Sequence, residues 1–220
     1  MSVWLDQHKP VLFDDLLTSS SVIDALKHLS LQANPPHLLL SGPAGCGKTT
    51  ALQLVCRQVL GPSWRATTHV LQARDLDKTA GAMAKFEAFL RPEGAGSEDT
   101  LAGRTSLDAF DHNISASADA SPPPAGEESI APAAGTLAAV SRIIIIEDAD
   151  YLGHARQSYL RRMMEESSRS ARFLFTTHTP SRIIEALRSR TQHVRMPSLT
   201  RLMIEQRLDC LLYTSDAADE

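Results

Sequence analysis

Residues Gly42, Pro43, Ala44, Gly45, Cys46, Gly47, Lys48 and Thr49 fit the pattern GxxxxGKS/T in full. They stand between the apolar run His37-Leu-Leu-Leu-Ser and an amphipathic stretch from Lys48 to Leu60. A short, continuous apolar run is what a buried parallel strand looks like. A strand that enters a helix through a glycine-rich turn is the setting this pattern requires. The glycines let the backbone curl so that successive N–H groups point at phosphate oxygens. The helix N-terminus adds the positive end of its dipole. Lys48 would then reach the β- and γ-phosphates of a nucleotide, and the Thr49 hydroxyl would ligate Mg²⁺.

The rest of the chain alternates strand and helix patterns. Apolar residues at helical spacing follow a serine cluster suited to capping from about Ser21. Strands are predicted at Thr68 to Ala73, Arg142 to Glu147, Ala171 to Thr177 and Gln192 to Met196. Helices are predicted at Lys48 to Leu60, Thr79 to Leu90 and His154 to Glu166, with a short one near Ile183. Such alternation implies an α/β fold: a parallel five-stranded sheet with right-handed crossovers and helices on both faces.

Charge is uneven along the 220 residues, so the formal net of −4 misleads. Residues 92–139 carry eight acids against one base, and the last eleven residues add three acids. The remainder is mildly basic, which is compatible with nucleic acid as a partner. Residues 92–139 are rich in Ala, Ser, Gly and Pro with little periodicity. They read as a disordered insertion whose removal should leave the core intact, since lengthening a loop costs little. Residues 210–220 match the in-frame translation of a transposon-end sequencing adapter and are expected to be non-native, the natural chain diverging after Asp209. No apolar run approaches the roughly 20 residues that span a bilayer, so no membrane role is expected. Three cysteines without a CxxC pair make neither a disulfide framework nor a zinc site. A reducing, intracellular compartment is expected.

Ile143 to Ile146 lead into Glu147 and Asp148. In nucleotide hydrolases built on such a loop, an apolar strand of this kind lies beside it. The first acid helps hold Mg²⁺ and the second polarises the attacking water.

Five ordered motifs spread over residues 4–208 resemble the small subunits of replication factor C, the clamp loader of eukaryotic and archaeal replication, within the AAA+ ATPases. Trp4-Leu-Asp-Gln-His-Lys-Pro10 is similar to W-V-D/E-K-Y-R-P. Pro36 to Thr50 is similar to PHLLLYGPPGTGKTT, Glu147-Asp-Ala-Asp-Tyr-Leu to DEADSL, and Leu160-Arg-Arg-Met-Met-Glu165 to LRRTME. Ser189-Arg190-Thr191 stands where the family has Ser-Arg-Cys. The resemblance implies a core over residues 1–198 and the start of a helical lid at 199–209, with the rest of the lid and the collar missing. It places Leu5 and Leu17 on the adenine side, with His8 and Pro10 nearby, and the phosphates along Gly42 to Thr50. Thr49 and Glu147 would hold Mg²⁺, and Asp148 would serve the attacking water. His178 falls at the sensor-1 position, and Arg190 would be the arginine finger acting on a neighbour's ATP. Taken alone, His178 is an ordinary loop histidine and Arg190 a surface cation.

The implied cofactors are ATP and Mg²⁺. The implied partners are other clamp-loader subunits, the sliding clamp and primer–template DNA. The implied location is the nucleus for a eukaryotic chain and the cytoplasm otherwise.

The departures point at hydrolysis. The family's Asp-Glu order is reversed, and sensor 1 is His rather than Asn. The Asn-Ala-Ser-Asp stretch reads Gln72-Ala-Arg-Asp75, with Lys78 the nearest following base, so the DNA contact is open. Two readings follow: an ATP-hydrolysing loader subunit, and a subunit that binds ATP without hydrolysing it and mainly donates Arg190. A bacterial loader ATPase would carry a cysteine zinc module ahead of the acidic strand. A small-molecule kinase explains neither Trp4–Pro10 nor Ser189-Arg190.

Overall fold

A computed structural model describes residues 8–76, 81–90, 121–129, 140–167 and 171–216. In chain order the elements are α1 (Ser20–Leu31), β1 (His37–Ser41), α2 (Lys48–Leu60), α3 (Trp64–Thr67), β2 (Thr68–Gln72), α4 (Ala73–Leu76) and α5 (Ala82–Leu90). There follow β3 (Arg142–Glu147), α6 (His154–Glu166), β4 (Ala171–Thr177), α7 (Glu185–Arg188), β5 (Thr191–Arg195) and α8 (Arg201–Asp216). The five strands pair in parallel in the order β2-β3-β4-β1-β5. The α/β architecture read from the sequence is therefore the one observed.

The period of two along each strand sends alternate side chains to opposite faces. Leu38, Leu40, Ile143, Ile145 and Leu174 pack with Phe13, Leu26, Leu52 and Val55 on one face. Leu39, Ile144, Ile146, Phe173 and Phe175 pack with Phe86 and Leu160 on the other. Both faces are covered, which is why the central strands read as unbroken apolar runs. The edge strand β2 leaves Val70 half exposed.

Several boundaries differ from the sequence reading. The second strand stops at Gln72 because Ala73 opens a helical turn, and the last strand runs one residue earlier, from Thr191. The helix predicted from Thr79 is described from Ala82. Ser19 is the N-cap of α1, but its hydroxyl pairs with that of Ser21 instead of a backbone amide.

The larger correction concerns the insertion. Residues 121–129 are not a loose loop: Pro124 is buried, and the segment is hydrogen-bonded to α1, to α2 and to the stretch before α1. Its anchors are polar, so hydrophobic periodicity carries no trace of it. The remaining residues of 92–139 lie outside the described residues.

His37 opens β1 and accepts the Phe173 N–H at Nδ1, 3.0 Å away. Burial, and then the nearby Arg172 guanidinium, lower its pKa to about 4. An unfolded histidine titrates near 6.5. Between these values the unfolded chain takes up a proton that the native one refuses, so this contribution is whole above pH 6.5 and is lost as pH falls toward 4. Acidification to pH 4.5 is expected to cost about 2 kcal/mol through His37. Thermal unfolding of His37→Asn, which keeps an acceptor but cannot titrate, should show a correspondingly shallower pH slope. Equal slopes would assign the acid sensitivity elsewhere.

Candidate nucleotide site

The loop between β1 and α2 is held from both sides. Gly42 N donates to Thr177 O of β4 at 3.2 Å, and Met196 N, just past β5, donates to Ser41 O at 2.7 Å. His193 Nε2 on β5 lies 2.7 Å from the Ser41 hydroxyl. A Cβ on Gly42 would stand 2.5 Å from Met196 O, which no side chain tolerates. Gly45 and Gly47 have φ of 75° and 88°, in the left-handed region that glycine enters without penalty. Together these positions curl the backbone around a space that Lys48 partly fills. Its ammonium donates to Gly42 O at 2.9 Å and Pro43 O at 2.7 Å, and the side chain is 7% exposed. A buried ammonium resting on loop carbonyls is placed to exchange them for phosphate oxygens. Thr49 is exposed in the first turn of α2, and Thr50 behind it is partly buried.

Cys46 is buried against Gly42, as a small packing residue would be. Burial pushes the Cys56 thiol up to about 12, so it is unreactive at neutral pH.

A cavity of about 290 Å³ opens beside the loop. His8, Pro10, Leu16 and Leu17 wall it on one side, and Leu199, with Ile204 and Leu208 of α8, closes it on the other. Its apolar lining suits a purine base. Leu17 lines this cavity; Leu5 and Lys78 lie outside the described residues.

The acidic pair lies at the carboxyl end of β3, which is not adjacent to β1: β4 runs between them. At ordinary strand spacing the two ends are about 10 Å apart, and the tip of β4, Thr177 and His178, stands in the gap. Glu147 is 7% exposed. Its Oε2 accepts from the Gln72 amide, while Oε1 is buried with no partner among the described residues. A buried carboxylate oxygen left unpaired costs free energy, and a divalent cation bound there would satisfy it. The donor set of Thr49 and Glu147 is all oxygen, as Mg²⁺ prefers.

Asp148 has φ of 53°, the one positive φ outside glycine among the described residues. Its N–H donates to Thr176 Oγ1 at 2.9 Å. Its carboxylate is held at both oxygens: Arg74 Nε is 2.6 Å from Oδ2, and His178 Nε2 is 3.1 Å from Oδ1. Arg74 also lies 4.4 Å from the centre of the Tyr151 ring. Behind them Asp150 Oδ1 accepts from the Thr177 hydroxyl at 3.0 Å and from the His178 N–H at 3.3 Å, fixing the His178 backbone. Gln72, Arg74, Asp150 and Thr176 belong to this cluster and were not singled out from the sequence. The signal available was that Gln72-Ala-Arg-Asp75 follows the second strand, whose end pairs with Glu147.

Arg190 is elsewhere. It precedes β5, at the sheet end opposite the loop, where Thr191 pairs with His37 rather than Ser41. Its guanidinium binds Glu165 Oε1 at 2.5 Å and Ala186 O at 2.8 Å. This hydrogen bond holds the Glu165 carboxyl below its usual range, with Arg161 adding to it. The described structure thus assembles the loop, Leu17, Glu147, Asp148 and His178 at one end of the sheet and leaves Arg190 out.

A family model described as an AAA ATPase domain matches residues 19–176. The replication factor C small subunit of Natronomonas pharaonis is 27% identical over 206 residues, covering 94% of this chain and 50% of that protein. Replication factor C subunit 4 of Schizosaccharomyces pombe is 27% identical, with 93% and 48% covered. The small subunit of Archaeoglobus fulgidus is 28% identical, with 94% and 52% covered. The chain thus spans about half the length of the curated relatives it matches. A solved structure of a Thermotoga maritima RuvB variant superposes with a TM-score of 0.54 at 15% identity, over 87% of this chain and 50% of that one, a likeness of fold alone. The chain belongs to the AAA ATPase domain family, as a replication factor C small-subunit-like member of it.

Proposed function

We propose that the chain is the ATP-binding core of a clamp-loader subunit, which uses ATP binding and hydrolysis to open a sliding clamp and load it onto primer–template DNA. One observation carries the nucleotide part of this reading. The buried Oε1 of Glu147, without a partner among the described residues, stands across the tip of β4 from a glycine cradle whose lysine rests on two carbonyls. The loader part is supported by the relatives' names, and with it the partners: other loader subunits, the clamp and DNA.

In this reading the amides of Gly42 to Thr50 cradle the phosphates, and Lys48 trades its carbonyl partners for phosphate oxygens. Thr49 and Glu147 would hold Mg²⁺, which when bound offsets charge on the phosphates. The base rests against Leu17, His8 and Pro10. Asp148 polarises the attacking water and His178 sits beside it, in contact with its carboxylate. Arg190 serves a neighbour's nucleotide, because its own lies at the far end of the sheet.

A second reading, a subunit that binds ATP but hydrolyses it poorly, is favoured by one geometry. Both oxygens of Asp148 are engaged, by Arg74 and His178, and the side chain is a methylene shorter than the family's Glu. General-base transfer needs about 2.6–3.2 Å between heavy atoms.

Three measurements test the assigned roles, and the exchange of the two acids bears on the choice between the readings. Charge-assisted hydrogen bonds contribute about 1.5–3 kcal/mol each, so Lys48→Ala should weaken ATP binding on the order of 100-fold. Calorimetry showing unchanged affinity would refute the assignment of the loop. In the complex assembled with partner subunits, exchanging the acids (Glu147→Asp with Asp148→Glu) should raise turnover at least about tenfold, out of the roughly 10²–10⁴ that a general base supplies. A turnover that stays level or drops means that Asp148 is already competent or is not the base. Arg190→Ala should lower hydrolysis at the adjacent site while leaving ATP affinity at its own site intact. Loss of its own site's affinity would contradict action in trans.

A further inference from the structure

The segment 121–129 is hydrogen-bonded to α1, to α2 and to Phe13, which stands two residues before the wall of the candidate nucleotide cavity. Pro122, Pro123 and Pro124 form a run whose carbonyls are all taken. Arg57 Nη2 donates to Pro122 O at 3.1 Å. Gly126 N closes a turn on Pro123 O at 2.9 Å, and Phe13 N donates to Pro124 O at 2.9 Å. Arg57 Nη2 also donates to Val11 O. Gln58, 5% exposed, grips the far side: its Oε1 accepts from Ala125 N at 2.8 Å and its Nε2 donates to Glu127 O at 2.9 Å. The Ser129 hydroxyl lies 3.1 Å from Ser30 O and 2.9 Å from Gln58 O.

These anchors connect two stretches of chain whose other residues line the candidate nucleotide cavity. Arg57 and Gln58 lie on α2, the helix that begins at Lys48. Val11 and Phe13 lie in the stretch that continues into Asp15, Leu16 and Leu17, which wall the cavity beside the loop. That stretch has other fixings as well: the Phe13 and Leu16 side chains in the core, the Asp15 carboxylate, which accepts from Val11 N at 2.9 Å and Leu12 N at 2.8 Å, and the Asp14 carboxylate, which accepts from Lys27 Nζ at 2.8 Å. A cavity of about 430 Å³ remains between the strap and the end of α2. Hydrogen bonds, together with the buried Pro124 and with Ala125 packed against the core, therefore keep the segment in place. Proline fixes φ, so the run loses little conformational entropy on docking.

We propose that residues 121–129 are a strap that positions the base-side wall of the nucleotide pocket, so that the insertion sets how tightly and how selectively the purine is held. Gln58 is its positioning residue. The proposal rests on the reading of this cavity as the ATP site. With the strap detached, the Phe13 N–H loses its partner, and residues 11–17 shift relative to α2. The phosphate cradle has its own anchors in β4 and β5 and keeps its shape.

Binding of ATP, GTP and inorganic tripolyphosphate to the 220-residue chain, measured by calorimetry, tests this directly. Gln58→Ala should weaken ATP about five- to tenfold, the scale of one ordinary net hydrogen bond. It should also narrow the preference of ATP over GTP and leave tripolyphosphate affinity unchanged. Ser129→Ala should shift ATP binding in the same direction by about two- to threefold, and it carries the test alone if Gln58→Ala does not fold. Equal losses of ATP and tripolyphosphate would mean general loosening and overturn the proposal, as would intact ATP binding in both variants. An unmodified chain that binds no ATP would sink the nucleotide-site reading, and the strap's role with it.

Discussion

The close approach of the backbone at Gly42 to Met196 is the constraint on which the site depends. With 2.5 Å between a hypothetical Cβ and the Met196 carbonyl, only glycine lets β5 run flush against β1 at this point. That contact allows Met196 N to reach Ser41 O, and it turns the chain into the loop at a fixed angle. Thr177 O takes the Gly42 amide from the other side. The cradle is thus set by the ends of three neighbouring strands rather than by the loop alone. The same three strands are pinned by a core that is apolar on both faces, so rigidity passes from the sheet to the loop.

The two carboxylates at the end of β3 stand in different surroundings although they are adjacent in sequence. Glu147 continues the strand, is buried and keeps one oxygen without a partner among the described residues. Asp148 leaves the strand in a left-handed conformation, which costs an L-residue free energy but which Asp tolerates better than most. That turn swings its side chain out to Arg74 and His178, two groups from separate strands' ends. Local strain at one residue thereby separates an oxygen suited to a cation from a carboxylate engaged by basic groups. Strain of this kind persists only where the surroundings fix it. Here the Asp148 N–H on Thr176 and the hydrogen bonds of Asp150 behind His178 supply that fixing.

How much of this could be read in the sequence follows the kind of force involved. The spans of β1, α2, β3, α6 and β4 coincide with the runs read from periodicity, because burial on both faces writes itself into consecutive residues. The cradle was legible for the same reason: its chemistry is local and needs glycines at fixed positions. Arg74 was quoted only as part of a stretch that departs from the family, because its partner Asp148 is far away in sequence and the pairing depends on β2 lying beside β3. The strap was read only as part of a disordered insertion. Its composition has too few apolar residues to signal burial, and its docking relies on proline carbonyls and on Gln58, which sits in a helix pattern like any polar residue. Polar, long-range contacts leave no periodic mark.

The polarity of a parallel sheet decides what one chain can do by itself. Every strand delivers its carboxyl end to the same edge, so the loop after β1, the acids after β3 and His178 after β4 converge there without special provision. The same rule sends residues that precede strands to the opposite edge, and Arg190 precedes β5 by one residue. Five residues of strand span more than 13 Å at about 3.3 Å each, beyond the reach of an arginine side chain from one edge to the other. On the proposed reading, Arg190 can complete a site only on another molecule, and its present partner, Glu165, is a surface carboxylate. Exposed ion pairs of that kind contribute little to stability. A triphosphate brought alongside by a neighbouring subunit offers more negative charge in a less hydrated setting, so the guanidinium would leave Glu165 at small cost. On that reading the need for a neighbour is a consequence of strand direction, and the weak cis pair keeps Arg190 available for that neighbour.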